Sequence, residues 1–366
     1  MARNKNQHYV PRVYLRHFTI ERNGLAINLF NFNRMKVIQN AAVKHQCSGD
    51  YFYGWDNDLE KAINFVENKY GECMKHLAQE NLIIGPIEHV VLRKFIYLQH
   101  LRTEEASRSA SEMTLSMLDL PGSDIPIPSK REAQKAAVQS AMLHFAESMD
   151  IIDDLKLCIV RNRTNRPFIT SDNPAILTNR LIIQRSRKSD CRFGAKTAGA
   201  IFILPLTQDL CALLYDGDVY TVSKQDHWVD VERVSDIEAI NDHQLLNCMD
   251  NVYFCNWSSR DWIADRARSV QSFRPERKHT VTHAVLDSTT EWGFRYLVKP
   301  LPNIMDEEEV LVHVMKNHPC PPAWPSFLRF RLDGRAYSNN TRAGLTRRWC
   351  LERGFIRGIG YRKVRI

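Results

Sequence analysis

No run of about 18 apolar residues, the length a helix needs to cross a bilayer, occurs in this 366-residue chain. The longest apolar stretch, Gly199 to Leu206, falls far short. The first residues, Met1 to His8, are polar and no apolar core follows them, so a secretory leader is not expected. Gly and Pro number 15 each, too few for collagen or a low-complexity linker protein. The nine cysteines (47, 73, 158, 191, 211, 248, 255, 320 and 350) are scattered, odd in number and contain no Cys-x-x-Cys pair. That pattern excludes a zinc ribbon and a thioredoxin-type motif, and reads as reduced thiols in a cytoplasmic protein with no membrane partner. A Walker loop, Gly-x-Gly-x-x-Gly, His-Glu-x-x-His and an EF-hand loop are also missing, which removes NTPase, simple dehydrogenase, zincin and calcium-sensor readings.

What remains is the composition of a globular protein, 44% hydrophobic and 25% charged, with a formal net charge of +8. The charge is concentrated at one end. Between Ser326 and Ile366, ten Arg and one Lys (Arg329, Arg331, Arg335, Arg342, Arg347, Arg348, Arg353, Arg357, Arg362, Lys363, Arg365) face only Asp333 and Glu352. The rest of the chain carries 39 basic and 40 acidic side chains and is close to neutral. Phe327, Phe330, Tyr337, Trp349, Phe355 and Tyr361 interleave with those arginines. Guanidinium groups match phosphate geometry and aromatic faces stack on bases, so this segment is the candidate surface for RNA or DNA. The alternative is a basic appendage lying on an acidic face of its own protein or a partner.

Hydrophobic spacing sets the fold class. Leu25–Phe32 reads as a strand after the Asn23-Gly24 turn. A helix is expected over 56–80, with Leu59, Ile63, Val66, Tyr70, Met74 and Leu77 at three- and four-residue steps. A second begins at Pro86 and runs to about Leu118, and a third follows Ser129, which forms a capping box with Glu132 and carries the helix to about Asp153. The period then changes. Short strands are expected at 156–161, 168–170, 175–179, 200–204 and 210–215, then a helix over 235–249, with 252–255 either one more strand or a continuation of that helix. Two late strands, 280–286 and 292–298, precede a Pro-rich linker over 300–325 with an acidic run at Asp306–Glu309.

Helices segregated from strands give an α+β class: a helical N-terminal half packed with a mixed or antiparallel sheet, plus a basic C-terminal appendage. The expected organisation is a core over 1–270 (helical about 50–153, strand-rich about 154–255), a strand pair and linker over 271–325, and the Arg-rich tail over 326–366.

Gln7-His-Tyr-Val-Pro-Arg-Val-Tyr-Leu-Arg-His-Phe18 resembles the opening signature of an uncharacterised bacterial family, and Tyr51-Phe52-Tyr53 resembles its Phe-Tyr pair. Glu60 and Glu67 stand where that family carries a Glu-x6-Glu helix. Gln99-His-Leu-Arg-Thr103, Phe168-Ile-Thr-Ser-Asp-Asn-Pro174, Pro205-Leu206 and Asn247 continue the likeness over residues 7–255. The resemblance brings no settled activity with it, only an association with bacterial mobile elements, and it does not reach the arginine-rich end.

The polar residues of those segments are the candidate site: His8, Glu60, Glu67, Arg102, Asp172 and Asn173, with Gln99 sharing a helix face with Arg102. Glu60 and Glu67 are seven apart, nearly two helical turns, so both carboxylates lie on one face and suit a divalent metal or an Arg or His partner. His8 is either a candidate base or ligand or a structural histidine bonding a backbone carbonyl, and Arg102 a clamp for phosphate or for one of the glutamates. Asp172 and Asn173 follow a strand and form either a functional carboxylate–amide pair or an ordinary turn. Gathered in one pocket, with Mg²⁺ or Mn²⁺ on Glu60, Glu67 and Asp172, they would suit phosphodiester or nucleotide hydrolysis. Two other classes stay open: a non-catalytic nucleic-acid-binding or regulatory module, and a protein-interaction component of a toxin or defence system.

Overall fold

The computed structural model describes residues 6–53, 57–79, 83–118, 126–185, 191–276, 278–290, 293–300, 310–340, 344–356 and 360–366. The described chain is α+β, as the hydrophobic spacing implies. It opens with β1 (Asn6–His8), α1 (Arg12–Leu15), the hairpin of β2 (Ala26–Asn31) and β3 (Lys36–Ala42), and β4 (Ser48–Asp50). β1 pairs antiparallel with β4, setting Gln7 opposite Gly49 and His8 opposite Ser48. Tyr14 of α1 is fully buried, its hydroxyl accepting from Thr170 Oγ1 at 2.6 Å and donating to the Pro205 carbonyl at 2.7 Å, so the opening segment is fixed to the middle of the chain.

Four helices follow: α2 (Asn57–Leu77), α3 (Pro86–Leu101), α4 (Glu104–Leu118) and α5 (Lys130–Ser148). Ile63, Tyr70, Met74 and Leu77 make the buried stripe of α2. Ser129 caps α5 with the expected capping box, its hydroxyl accepting from the Glu132 amide while the Glu132 carboxylate accepts from the Ser129 amide. The single helix expected from Pro86 to Leu118 is two. Thr103 Oγ1 accepts from the Ala106 amide at 3.2 Å, an N-cap bond that starts α4 afresh, and Glu104 and Glu105 occupy its first turn.

The middle of the chain is β5 (Lys156–Asn162), β6 (Thr170–Ser171), β7 (Ile176–Thr178), α6 (Arg180–Arg185), β8 (Ile201–Pro205), β9 (Leu210–Tyr215), β10 (Tyr220–Thr221), β11 (Trp228–Val231), α7 (Val234–Asn247) and β12 (Asn251–Phe254). Five strands form a central sheet in the order β11-β5-β9-β8-β7, parallel only between β11 and β5. A second sheet of order β3-β2-β12-β6 is antiparallel. Ile-Phe-Ile-Leu of β8 and Leu-Cys-Ala-Leu-Leu of β9 are near-continuous apolar runs because both faces of the central sheet are covered. Leu157, Ile159, Phe202, Leu204, Ala212 and Leu214 face one core, shared with Leu92, Phe95, Ile96 and Tyr97 of α3. Their alternates Cys158, Val160, Ile201, Ile203, Cys211 and Leu213 face another. At the turn into β8, Gly199 sits at φ +79°, where a Cβ would stand 2.9 Å from Asn179 Oδ1 and 3.0 Å from the Tyr220 hydroxyl, so only glycine fits.

The chain then runs through α8 (Arg260–Val270), β13 (His279–Thr290), β14 (Gly293–Val298), β15 (Val310–Lys316), β16 (Arg329–Phe330), β17 (Arg335–Ser338), α9 (Arg348–Glu352) and β18 (Arg362–Arg365). Two expectations are corrected here. Residues 310–316 of the expected linker are a strand, completing a sheet of order β14-β13-β15 that Lys316 ties to Glu105 of α4 at 2.6 Å; the Pro content around it masked the run of apolar residues in Val310–Met315. Asp306–Glu309 lie outside the described residues. The basic end is also not an appendage. Leu328, Ala336, Val364 and Ile366 pack in the second core, so the described part of this segment covers the far face of the central sheet.

Candidate functional site

β1 and α2 meet at a half-open pocket of about 160 Å³ lined by Gln7, His8, Arg12, Tyr53, Glu60 and Glu67, among others. The opening signature builds one wall. Gln7 is buried, and its Oε1 accepts from the Tyr53 amide at 2.7 Å. The Tyr53 hydroxyl donates to the His8 carbonyl at 3.3 Å. These two bonds place the His8 ring at the pocket. Burial, with the Arg12 charge assisting, pulls the imidazole below its usual value, and its Nδ1 is buried with no hydrogen-bond partner.

α2 builds the opposite wall. As the seven-residue spacing implies, Glu60 and Glu67 both line the pocket, with Ile63 between them in the core. Their situations differ. Glu67 Oε1 accepts from Arg102 Nη1 at 2.7 Å, and Arg102 Nε donates to Gln99 Oε1 at 2.9 Å. Gln99 in turn donates to the Tyr9 carbonyl at 2.9 Å. Arg102 is 1% exposed and behaves as an anchor for Glu67, the Glu-pairing role open to it in the sequence. Burial raises the Tyr53 phenol to about 12 although the nearby Arg102 charge opposes this, so it is protonated. Among the described residues Glu60 has no ion-pair or hydrogen-bond partner, leaving its carboxylate available to the pocket.

Asp172 and Asn173 do not line this pocket. Both Asp172 oxygens are occupied by three backbone amides, those of Met249, Asp250 and Asn251, at 2.7–2.8 Å. Burial pushes its carboxyl up to about 6 against the pull of those amides. Asp172 therefore fixes the turn between α7 and β12. Asn173 accepts from Thr103 Oγ1 at 3.1 Å and donates to the Asn247 carbonyl at 3.1 Å, joining the α3–α4 break to the end of α7. The metal set Glu60, Glu67 and Asp172 is not assembled: Asp172 is bound elsewhere, and among the described residues no group of three or more His, Cys, Asp or Glu is placed to hold a metal ion. Behind the pocket, burial pushes the Cys47 thiol far up, so it stays protonated beside the Tyr253 hydroxyl at 3.3 Å and is no nucleophile.

Sequence reasoning passed over Gln7, Arg12, Tyr53 and Asn64 as lining residues. Gln7, Arg12 and Tyr53 all lie inside segments it had quoted. A polar residue inside an apolar signature was the available signal.

The arginines divide in the same way. Arg347 is 2% exposed, bonds Asp154, and donates to the Ile151 and Ala195 carbonyls, which withdraws it from any external ligand. Arg348 pairs with Glu352 at 2.6 Å, and Arg353 lies over the Trp349 ring at 4.5 Å. Arg329, Arg331, Arg335, Arg362, Lys363 and Arg365 are exposed. β17 and β18 form a two-stranded ribbon in which Arg335 faces Arg365 and Tyr337 faces Lys363, while Ala336 and Val364 turn inward. Arg342 and Arg357 lie outside the described residues.

No helix of the described residues is long and apolar enough to cross a membrane. No curated protein and no solved structure matches the chain. A family model with the description "Protein of unknown function (DUF4238)" matches residues 6–258, a span that holds the whole pocket and ends before the arginine ribbon. The chain belongs to the DUF4238 family.

Proposed function

We propose that this protein hydrolyses a phosphate ester at the pocket between β1 and α2. The observation that carries the reading is one cavity lined by a histidine held neutral and by Glu60, a carboxylate that no described cation claims. A neutral imidazole is the form that accepts a proton, so His8 takes one from the attacking water as its oxygen bonds to phosphorus; the bond from phosphorus to the ester oxygen breaks, and the leaving alkoxide takes up the proton to depart as an alcohol. Glu60 orients that water and stabilises the imidazolium that forms. Arg12 supplies the positive charge for the non-bridging oxygens. The Arg102–Glu67 pair keeps the second carboxylate from repelling the phosphate. A volume of about 160 Å³ suits a phosphoryl group and its immediate neighbours, not a whole base, so the remainder of the substrate would lie outside. Incubating the full chain with nucleotides and short RNA in EDTA should release phosphate or shortened product. His8→Gln should lose about 10²–10⁴ of that rate. A histidine variant as active as the parent would remove the reading.

One observation favours a second reading, polyanion binding without chemistry. Like charges directly opposite on paired strands are destabilising, and Arg335 faces Arg365 on an exposed ribbon, where Asp333 at 3.5 Å from Arg365 offsets part of the repulsion; an external phosphate chain would relieve the rest. The ribbon's inward side packs on the sheet face opposite to the one shared with α3, so it forms a site separate from the pocket. Replacing Arg335 and Arg365 with Glu should cut the slope of log affinity against log salt by about 2 for single- or double-stranded DNA. An unchanged slope would dismiss the ribbon.

A further inference from the structure

Far from the pocket, two cysteines distant in sequence meet. Cys191 Sγ and Cys320 Sγ are 2.7 Å apart, inside the contact distance of two sulfurs and beyond the ~2.05 Å of a disulfide bond. The backbone holds them there. The His318 amide donates to the Cys191 carbonyl at 2.9 Å, the Cys320 amide donates to the Phe273 carbonyl at 3.3 Å, and the His318 ring stacks on Phe193 at 3.9 Å. Both cysteines line a cavity of about 340 Å³ that opens to solvent beside Ser272 and Arg274. Cys191 is buried and Cys320 is half-buried, so Cys320 is the more exposed residue of the pair.

The contrast with the chain's other neighbouring thiols is chemical. Cys158 and Cys211 share a core, but both are fully buried among apolar side chains, and burial pushes both thiols upward. A thiol in that position is inert, because only the thiolate attacks and only an accessible sulfur meets an oxidant. Cys191 and Cys320 have access, proximity and a fixed backbone together.

We infer that Cys191 and Cys320 are a redox-active dithiol that a peroxide converts reversibly to a disulfide. The Cys320 thiolate attacks the peroxide: an S–O bond forms, the O–O bond breaks, and the departing hydroxide takes a proton to become water. The Cys191 thiolate then attacks the same sulfur, the S–S bond forms, the S–O bond breaks, and a second water leaves. Two thiols and one hydrogen peroxide give one disulfide and two waters, with the sulfurs losing the two electrons that the peroxide gains. The link ties Cys320, within the proline-rich entry to the C-terminal layer, to Cys191 in the body of the protein, 129 residues earlier in the chain.

The experiment is to treat the reduced full chain with one equivalent of hydrogen peroxide and map its peptides without reduction. The expected result is a single Cys191–Cys320 linked pair, removed by dithiothreitol, forming at least tenfold faster than any link involving Cys158 or Cys211. In Cys191→Ser, checked for folding by its melting curve, dimedone should label Cys320. In Cys320→Ala, a change at a half-buried position, the link should vanish. Scrambled pairing, a Cys320 that dimedone never labels, or no Cys191–Cys320 link would each overturn the assignment.

Discussion

Arg102 Nη1 donates to Glu67 Oε1 at 2.7 Å, from a guanidinium side chain with no exposed surface to a carboxylate side chain that is 18% exposed. The pair joins the last turn of α3 to the wall of the pocket. A buried pair of this kind is costly to break from one side, because the remaining charge stays out of water. Arg102→Met should lose about 3–5 kcal/mol of stability. In a double-mutant cycle with Glu67→Gln, the combined loss should fall short of the sum by about 1–3 kcal/mol, read from denaturant unfolding. Additive losses would mean that the two side chains do not act together.

Asp172 bonds three consecutive amides at the turn from α7 to β12. Asp172→Ala leaves those half-buried donors without their acceptor and should cost about 3 kcal/mol. Turnover per folded molecule should not change. A variant that melts normally yet loses its chemistry would return Asp172 to the active site.

The described residues between 324 and 366 cover an apolar sheet face. A chain ending at residue 323 would expose that face and should aggregate or lose its cooperative melt. Arg362→Glu with Lys363→Glu touches only exposed positions and should shift stability by no more than about 0.5 kcal/mol each. A well-folded truncated chain would show that the C-terminal segment is an accessory.

His243 of α7 is 1% exposed, and burial lowers its imidazole to about 3. Its folded value lies below the unfolded 6.5, so the folded state binds fewer protons; stability is complete above pH 6.5 and falls as the pH drops toward 3. Replacing the imidazole by the neutral amide of His243→Gln removes this term. The stability difference between variant and parent should narrow by about 1.4 kcal/mol between pH 7.5 and 5.5. A difference independent of pH would mean that His243 does not titrate on unfolding.

Much of the fold was legible because the spacing of apolar residues is local information. The α2 stripe, the Ser129 capping box and the apolar runs of β8 and β9 could each be read within a single short segment of sequence. The α3–α4 break was present as Thr103-Glu-Glu, a cap followed by an acidic turn, but the apolar spacing on either side runs on through it. The role of the basic end was not legible. Ala336 and Val364 alternate with charged neighbours over strands of four residues, and only pairing between β17 and β18 shows that one side faces a core. The pocket was half legible. The i, i+7 glutamates fall on one face by helix geometry, whereas the commitment of Glu67 to Arg102 and of Asp172 to backbone amides depends on partners at least 35 residues away. A carboxylate in sequence does not reveal whether its oxygens are already occupied.

The central claim is that Glu60 and His8 form one reacting centre, and the most direct measurement is the phosphate-ester hydrolysis rate of Glu60→Gln against the parent, in EDTA, with both melting curves recorded. The predicted result is a loss of at least about 100-fold with the melting temperature unchanged. Equal rates in the two proteins would contradict it.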